Sequence, residues 1–488
     1  MKLRKFLVVI LLVQFFTTMM VAQIQPSSVV LDPDARKGHL DNGLTYYIRR
    51  NAQQKQHADF YLVKRVGSIC ESANQCGVST LLQYMCFSGT EHFTRNGVVN
   101  YCNLIGLKFG KNLNAYTTTD QTVCYITSVP TDNQNVVDSC LLIMKDWVKG
   151  LLLKPEDIDV ERGMVRSCFH LRNKAQMKML SRNMPTLYPG SAYGQCLPDN
   201  QTSIIDTISP NSIRKFYDSW YRTDNQAVIL VGDIDVNLVE SKIKQMFSSI
   251  PKSDKPIPVI DDVVPDNNEP IIIVDKDKDL LYNNLIIMQK VDAIPDSNKV
   301  NMDYLAQKFL YEAIAGLINA RLAEKAKEAN CPYLQGMADY GDYLMSKSKK
   351  SLSISILPKE GKTEEVLKTV INELKGVQKT GFTDTEYQNY KNSFCKELES
   401  RFQDKGNINN WYVQQYINHY MYNEPISSVE EYLSIMKKIV NTTTIEDING
   451  IAKKLLAFTG RNMVVFSMNQ DKSGVHCPSV TSLKNAIE

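Results

Sequence analysis

The stretch Ile208–Asp233 reads ISPNSIRKFYDSWYRTDNQAVILVGD, and Thr443–Met468 reads TTIEDINGIAKKLLAFTGRNMVVFSM. The two stretches align without a gap at an offset of 235 residues. Each predicts a capped amphipathic helix followed by a buried strand, with Ser209 and Thr444 as the capping residues. Similarity at so long a period indicates a duplicated domain rather than a solenoid, whose repeats are much shorter.

A proline-rich segment lies between the two copies. Pro251–Pro270 reads PKSDKPIPVIDDVVPDNNEP, which is typical of a linker. We therefore predict an N-terminal domain at 23–250, a linker at 251–269, a C-terminal domain at 270–470 and a tail at 471–488.

Strand and helix patterns alternate in each half. The sequence predicts strands at Leu44–Arg49, Asp59–Val66, Val123–Val129, Ala227–Val231, Pro270–Val274, Leu281–Lys290, Leu352–Leu357 and Asn462–Phe466. It predicts further helices at Ala73–Phe87, Val136–Gly150, Pro155–Leu171, Asn301–Glu328 and Thr363–Lys379. Strands joined by short turns and followed by paired helices indicate an α+β fold. We expect two homologous sandwich domains, each with a mostly antiparallel sheet packed on helices.

The N-terminus predicts a secretory signal peptide at 1–22. Lys2, Arg4 and Lys5 precede the apolar run Phe6–Val13, and Ala22 is a small residue suited to cleavage. The alternative is a membrane anchor, but polar residues interrupt the run before it reaches the roughly 20 apolar residues of a spanning helix. We expect an exported protein without a membrane span, periplasmic in a bacterium and secreted otherwise.

The composition is that of an ordinary globular protein. Hydrophobic residues make up 43% of the chain and charged residues 22%, with a formal net charge of +3. This balance favours neither a nucleic acid nor an anionic membrane as partner. The eleven cysteines show no Cys-x-x-Cys pair, so we expect most of them to be small buried residues.

Several blocks together resemble one peptidase family. They are Gly38–Arg49 (GHLDNGLTYYIR), Phe60–Ile69 (FYLVKRVGSI), Gly77–Phe93 (GVSTLLQYMCFSGTEHF), Phe109–Thr122 (FGKNLNAYTTTDQT) and the Glu-Arg-Gly that begins at Glu161. In this order and spacing they resemble the N-terminal half of the insulinase/pitrilysin-like metallopeptidases, which carry an inverted zinc motif. The resemblance implies half of a peptidase clamshell.

The resemblance also implies that the zinc chemistry is lost. In the family, one helix carries His-x-x-Glu-His, and a later helix supplies a third ligand seven residues after the first Glu of Glu-Arg-Gly. Here Thr80 and Tyr84 stand where the family has its two histidines, and Gln83 stands at the position of the catalytic base. Cys168 stands at the third ligand position, whereas Glu161 matches a supporting acid that the family retains.

None of the four replacements can do the chemistry of the residue it replaces. A Thr hydroxyl and a Tyr phenol are poor zinc ligands at neutral pH, and a carboxamide has no useful basicity. Cys168 alone makes a weak site. A displaced set of Cys86, His92 and Cys168 would be an alternative, but the favoured interpretation is that Cys86 is a core residue and His92 a surface or packing residue. We expect no metal cofactor, although active relatives bind zinc.

Peptide binding does not require zinc. In active relatives, the strand that matches Leu113, Asn114, Ala115 and Tyr116 offers its edge to an extended substrate, and backbone hydrogen bonds of that kind survive a mutated helix. The alternative is an ordinary edge strand exposed to solvent. In the C-terminal half, Arg321 and Tyr333 match a region that holds substrate, although a helical arginine is often only solvated.

These expectations combine into one functional hypothesis. The chain is predicted to be a secreted pseudopeptidase, a non-catalytic subunit that holds extended peptides or regulates an active two-domain peptidase. Relatives build a chamber from four such domains, so a heterodimer or a homodimer is expected. The alternatives are a zinc endopeptidase with an atypical metal site and a stand-alone peptide-binding protein.

Overall fold

The computed structural model describes residues 32–172, 174–195, 202–260, 262–299, 302–403, 408–457 and 460–487. The predicted signal peptide lies outside these residues. In the N-terminal half the strands are β1 (Ala35–His39), β2 (Thr45–Arg50), β3 (His57–Lys64), β4 (Leu113–Thr117), β5 (Thr122–Pro130) and β6 (Gln226–Gly232). Its helices are α1 (Val78–Ser88), α2 (Gly97–Leu104), α3 (Gln134–Lys149), α4 (Pro155–Arg172), α5 (Ala175–Leu187), α6 (Thr202–Thr207), α7 (Pro210–Trp220) and α8 (Val236–Phe247).

The C-terminal half repeats this arrangement. Its strands are β7 (Ile271–Asp277), β8 (Asn284–Asp292), β9 (Tyr333–Tyr343), β10 (Ser346–Pro358) and β11 (Met463–Gln470). Its helices are α9 (Met302–Lys325), α10 (Thr363–Thr380), α11 (Asp384–Arg401), α12 (Ile408–Tyr422), α13 (Val429–Thr442), α14 (Ile445–Leu455) and α15 (Val480–Ile487). None of the helices in the described part of the chain has both the length and the apolar character that a membrane crossing needs.

The five strands of the C-terminal sheet follow the same topology as five strands of the N-terminal sheet, which has β1 in addition. The strand orders are β1-β2-β6-β3-β5-β4 and β7-β11-β8-β10-β9. In each sheet one neighbouring pair is parallel, β2 with β6 and β7 with β11, and the other pairs are antiparallel. The prediction of two α+β domains with mostly antiparallel sheets is therefore confirmed.

The repeat that was read from the sequence is a structural repeat. Adding 235 to the bounds of α7, 210 and 220, gives 445 and 455, which are the bounds of α14. Both predicted caps form, since the Ser209 hydroxyl accepts from the Ser212 N–H at 3.2 Å and the Thr444 hydroxyl from the Asp447 N–H at 3.2 Å. These caps satisfy backbone donors that a helix start leaves unpaired.

One helix of each half packs on the sheet of the other half. Met179, Met184 and Leu187 of α5 lie in one apolar cluster with residues of the C-terminal sheet. Conversely, α12 lies in a cluster with residues of β2, β3, β5 and β6. The sequence predicted neither helix. Adding 235 to the bounds of α5 gives 410 and 422, which lie within α12, so the two helices occupy equivalent positions in the two halves. Each half thus contributes one helix to the sheet of the other, and each sheet is covered on both faces.

Several predicted boundaries differ from the structure; for example, β10 begins at Ser346 rather than at Leu352 and β8 at Asn284 rather than at Leu281. The helix predicted from Ala73 begins only at Val78, because Gly77 before it takes a left-handed conformation with φ of 94°. The predicted tail at 471–488 contains α15, whose Leu483 is buried in the C-terminal core.

The predicted linker contacts the C-terminal sheet, since the Lys290 ammonium of β8 donates to the Pro265 carbonyl at 2.7 Å. The domain bounds remain a prediction.

Candidate functional site

The N-terminus of α1 is held by a buried carboxyl group. Glu71 accepts hydrogen bonds from the backbone N–H groups of Gly77 and Ser79, both at 2.7 Å. Burial raises the pKa of Glu71 to about 8, although the two N–H bonds act in the opposite direction. Glu71 was not predicted from the sequence. An acidic residue shortly before a glycine that opens an apolar helix is the signal that would have found it.

Helix α1 places the residues at the motif positions beside the sheet. Thr80 and Tyr84 are four residues apart and therefore share a face of the helix. Thr80 and Gln83 are buried, with 5% and 7% of their surface exposed, and Tyr84 is half-buried against the N-terminal core. None of these three side chains is an imidazole or a carboxylate.

Helix α4 packs against α1 and carries the remaining two positions. The Glu161 carboxylate accepts a hydrogen bond from the Ser88 hydroxyl at the end of α1. Burial raises the pKa of Glu161, while the Ser88 bond lowers it and the nearby Asp157 raises it further. Cys168 lies seven residues later and is half-buried. Glu161 thus links α4 to α1 through its hydrogen bond with Ser88.

The side chains at these positions do not fit a zinc ion. A catalytic zinc site takes three ligands from among imidazole, thiolate and carboxylate groups, with an open position for water. Here Thr80 and Tyr84 supply neutral hydroxyl oxygens, and Cys168 alone supplies a sulfur. We therefore derive no catalytic step through a metal at this position.

Gln83 has a structural partner instead of a catalytic one. Its carboxamide Nε2 donates a hydrogen bond to the Ala115 carbonyl of β4 at 3.1 Å. The Ala115 N–H is bonded to the Asn114 side chain at 2.8 Å, and the Leu113 carbonyl accepts from the Gly110 N–H at 2.9 Å. Strand β4 lies at the edge of its sheet. The strand is therefore an edge strand in which the backbone groups of Ala115 are already occupied, and its binding of a peptide stays a prediction.

The alternative metal set of Cys86, His92 and Cys168 is not brought together in the described residues. The Cys86 sulfur lies 3.5 Å from the sulfur of Cys124 in the core. The His92 ring instead bonds to Asp146 at 2.7 Å. The one group of three or more ligand-type side chains found in the described part of the chain is Glu91, His92 and Asp146.

This second group is held together by ordinary hydrogen bonds. One Asp146 oxygen bonds to the His92 ring, and the other accepts from the Thr90 hydroxyl at 2.6 Å and from the His92 N–H at 2.9 Å. Both carboxylate oxygens are thus engaged in joining the end of α3 to the turn after α1. These bonds explain why Asp146 and His92 lie together, and an exposed acidic residue such as Glu91 is common beside such a pair without a metal.

The two candidate residues of the C-terminal half also have structural partners. Arg321 bonds to Glu386 at 2.7 Å and to Glu373 at 3.1 Å. Tyr333 has 1% of its surface exposed, and its hydroxyl donates to the Leu322 carbonyl at 3.0 Å. Their role in holding substrate stays a prediction, and this conformation presents neither of them as an unoccupied group.

Two family models match most of the chain. The model described as "Insulinase (Peptidase family M16)" matches residues 46–189, and the model described as "Peptidase M16 inactive domain" matches residues 207–394. The first match contains the four altered positions. The second match begins before the predicted linker and extends into α11.

Two curated relatives are longer than this chain. The zinc protease PQQL-like protein of Arabidopsis thaliana is 26% identical over 459 residues, covering 92% of this chain and 44% of that protein. The probable zinc protease PqqL of Haemophilus influenzae is 32% identical over 222 residues, covering 46% of this chain and 24% of that protein. The chain thus spans less than half the length of either relative.

Solved structures share the fold. The first half of the periplasmic protease PqqL from Escherichia coli superimposes with a TM-score of 0.81 at 21% identity, covering 95% of this chain and 98% of that one. Pitrilysin superimposes with a TM-score of 0.67 at 16% identity, covering 95% of this chain and 49% of that one. The described domains therefore have the architecture of half a peptidase clamshell.

Proposed function

Because the chain belongs to the insulinase-like M16 peptidase family, as its sequence predicted, we propose that it is a pseudopeptidase that holds extended peptides without cleaving them. The observation that supports this proposal is the replacement of both histidines, the base and the third ligand by Thr80, Gln83, Tyr84 and Cys168. The bond from Gln83 to the Ala115 carbonyl adds a structural role for the base position. Loss of all four groups leaves neither a ligand set nor a base.

Peptide holding would use the edge of β4. An extended peptide that adds to a sheet edge binds through backbone hydrogen bonds, and these need no metal. The backbone groups of Ala115 are already bonded to Gln83 and Asn114, so an incoming strand would have to displace those side chains. We therefore propose that Gln83 competes with the peptide for the Ala115 carbonyl.

The Gln83→Ala variant tests this competition. Removal of the carboxamide frees the Ala115 carbonyl, so we expect severalfold tighter binding of a fluorescent, unstructured peptide measured by polarisation. Gln134→Ala is the matched control, because Gln134 is an exposed glutamine that bonds to Asp138 on α3. Thermal melting of both variants checks that the fold is retained. Unchanged or weaker peptide binding by the Gln83 variant would contradict the proposed competition for the Ala115 carbonyl.

The family architecture also supports a partner. Since the described domains match half of a clamshell, we propose that the protein completes a chamber by pairing with an active two-domain peptidase of the same family, or with a second copy of itself. Light scattering after gel filtration, combined with co-purification from the native host, tests this pairing. A strict monomer that binds peptide, without a peptidase partner, would support a stand-alone peptide-binding protein instead.

Export is proposed on separate grounds. The predicted signal peptide at 1–22 agrees with the periplasmic location of the Escherichia coli protease PqqL. Cell fractionation and N-terminal sequencing of the mature protein test it. Recovery of the intact chain from the cytoplasm would contradict the proposal.

A further inference from the structure

Two sulfur atoms and one ammonium group meet beneath α1 in the N-terminal core. Cys86 of α1 and Cys124 of β5 have their sulfur atoms 3.5 Å apart. The Lys64 ammonium, from β3, lies 3.4 Å from the Cys124 sulfur. All three side chains are fully buried. No part of the function proposed above uses this cluster.

Lys64 is the unusual member of the cluster. A buried ammonium ordinarily pairs with a carboxylate, because an isolated charge in the interior is strongly disfavoured. In the described residues Lys64 forms no ion pair with Asp or Glu, and its contacts are the Cys124 sulfur and the Tyr221 ring, 5.2 Å away. The Cys124 thiolate is therefore the anion available to this cation.

The surroundings of Cys124 favour that thiolate. The hydrogen bond with Cys86 and the nearby Lys64 ammonium lower the pKa of Cys124, while burial acts in the opposite direction. The thiolate is the nucleophilic form of cysteine. By contrast, burial raises the pKa of Cys102, another buried cysteine of the same half, to about 12.

We propose that Cys86 and Cys124 form a redox-active dithiol that is oxidised by hydrogen peroxide to an intramolecular disulfide. The sulfur atoms need to approach from 3.5 Å to the bonding distance of about 2.05 Å. The bond would join α1, which carries the altered zinc motif, to the strand that pairs with β4.

The oxidation takes place in two balanced steps. The Cys124 thiolate attacks one peroxide oxygen, so that an S–O bond forms, the O–O bond breaks and hydroxide leaves. The Cys86 sulfur then attacks the sulfenic sulfur of Cys124. The S–S bond forms, the S–O bond breaks, and the departing oxygen leaves as water with the Cys86 proton. Two electrons pass from the two thiols to one peroxide.

The disulfide should be readily reversible. Oxidation removes the thiolate that accompanies Lys64 and leaves the ammonium facing only the Tyr221 ring. An environment that stabilises the thiolate favours the reduced form and makes the disulfide a stronger oxidant. Lys64 thus speeds oxidation through the thiolate and also makes the product easier to reduce.

Peptide mapping of the full chain tests the proposal. The purified protein is treated with hydrogen peroxide, unreacted thiols are alkylated, and the digest is analysed by mass spectrometry without reduction. We expect a peptide pair linked through Cys86 and Cys124 that separates after mild reduction, while Cys102 stays alkylated. In Lys64→Met we expect severalfold slower formation of the link and a lower midpoint potential in a glutathione redox buffer.

Two results would overturn the proposal. One is recovery of Cys86 and Cys124 as alkylated thiols under conditions that oxidise the half-buried Cys168 and Cys477 of the same chain. The other is cross-linking of Cys86 or Cys124 to a different cysteine. The wild-type chain alone decides between these outcomes, so a variant that fails to fold leaves the test intact. Cys124→Ala should remove the linked pair and serves as the negative control.

Discussion

At the start of α1, the protonation of a single residue, Glu71, affects stability. Its carboxyl group is buried and bonded to two backbone N–H groups, and burial raises its pKa to about 8. An unfolded glutamate has a pKa of about 4.3. Between these values the folded chain holds a proton that the unfolded chain releases, so this contribution to stability is present at low pH and lost as the pH rises towards 8.

Glu71→Gln removes this titration while retaining a similar shape. We expect the difference in free energy of unfolding, wild type minus variant, to fall as the pH rises from 5 to 8. Urea denaturation at several pH values measures it. Glu156→Gln, at an exposed glutamate at the start of α4, is the control. A difference that grows with pH would show that the ionised carboxylate is the form that caps the helix.

The sequence could predict which residues stand at the motif positions, but not what those residues contact. The resemblance to the family's helix motif assigned Thr80, Gln83 and Tyr84 to the ligand and base positions, because a motif on one helix is a local pattern. The bond between Gln83 and Ala115 joins residues 32 positions apart in the chain and could not be predicted. The same holds for the contact between Cys86 and Cys124, since distances across a core depend on packing.

At the scale of elements, α12 shows how one half of the chain stabilises the other. The Tyr416 ring stacks on Tyr47 of β2 with ring centroids 5.4 Å apart. The Tyr416 hydroxyl is buried, and in the described residues it has no hydrogen-bond partner. The packing of the ring should therefore stabilise the fold, whereas the hydroxyl should not.

Substitutions of Tyr416 separate these two contributions. We expect Tyr416→Ala to lower the free energy of unfolding by about 3–5 kcal/mol, as for other large buried aromatics. Tyr416→Phe should leave it unchanged or raise it by about 1 kcal/mol, because an unsatisfied polar group is removed. Tyr188→Phe is the control after α5, where the hydroxyl donates to the Tyr343 carbonyl at 2.6 Å, and it should be destabilising. A loss of equal size in both Phe variants would contradict this account.

The elements that the sequence predicted are those with strong local patterns. The helix α7 and the strand β6 were found because a cap, an amphipathic period and an apolar run follow one another. Helix α12 was missed, and its buried residues contact a sheet from the other half of the chain. A helix covered by a distant sheet is recognised only when that sheet is known.

At the scale of the whole molecule, the reciprocal helices make the two halves depend on each other. Without α12, the N-terminal sheet would expose Tyr47, Tyr61 and Val63, and without α5 the C-terminal sheet would expose an equivalent apolar face. Exposed apolar patches of this kind promote association.

We therefore expect residues 32–250 and 270–487, produced separately, to aggregate or to bind a hydrophobic dye. Mixing the two fragments should reduce dye binding, and the intact chain should unfold in a single transition. Calorimetry and dye fluorescence measure these properties. A soluble, cooperatively folded N-terminal fragment with no dye binding would contradict the interdependence of the halves.

The central claim is that this member of the M16 family retains the fold without the zinc chemistry. The most direct measurement is the zinc content of the purified full chain, determined together with cleavage of unstructured peptides, with an active family member assayed in parallel. We expect substoichiometric zinc and no cleavage that a chelator abolishes. Stoichiometric zinc together with chelator-sensitive cleavage would contradict the claim, because Thr80, Gln83, Tyr84 and Cys168 could not then account for the chemistry.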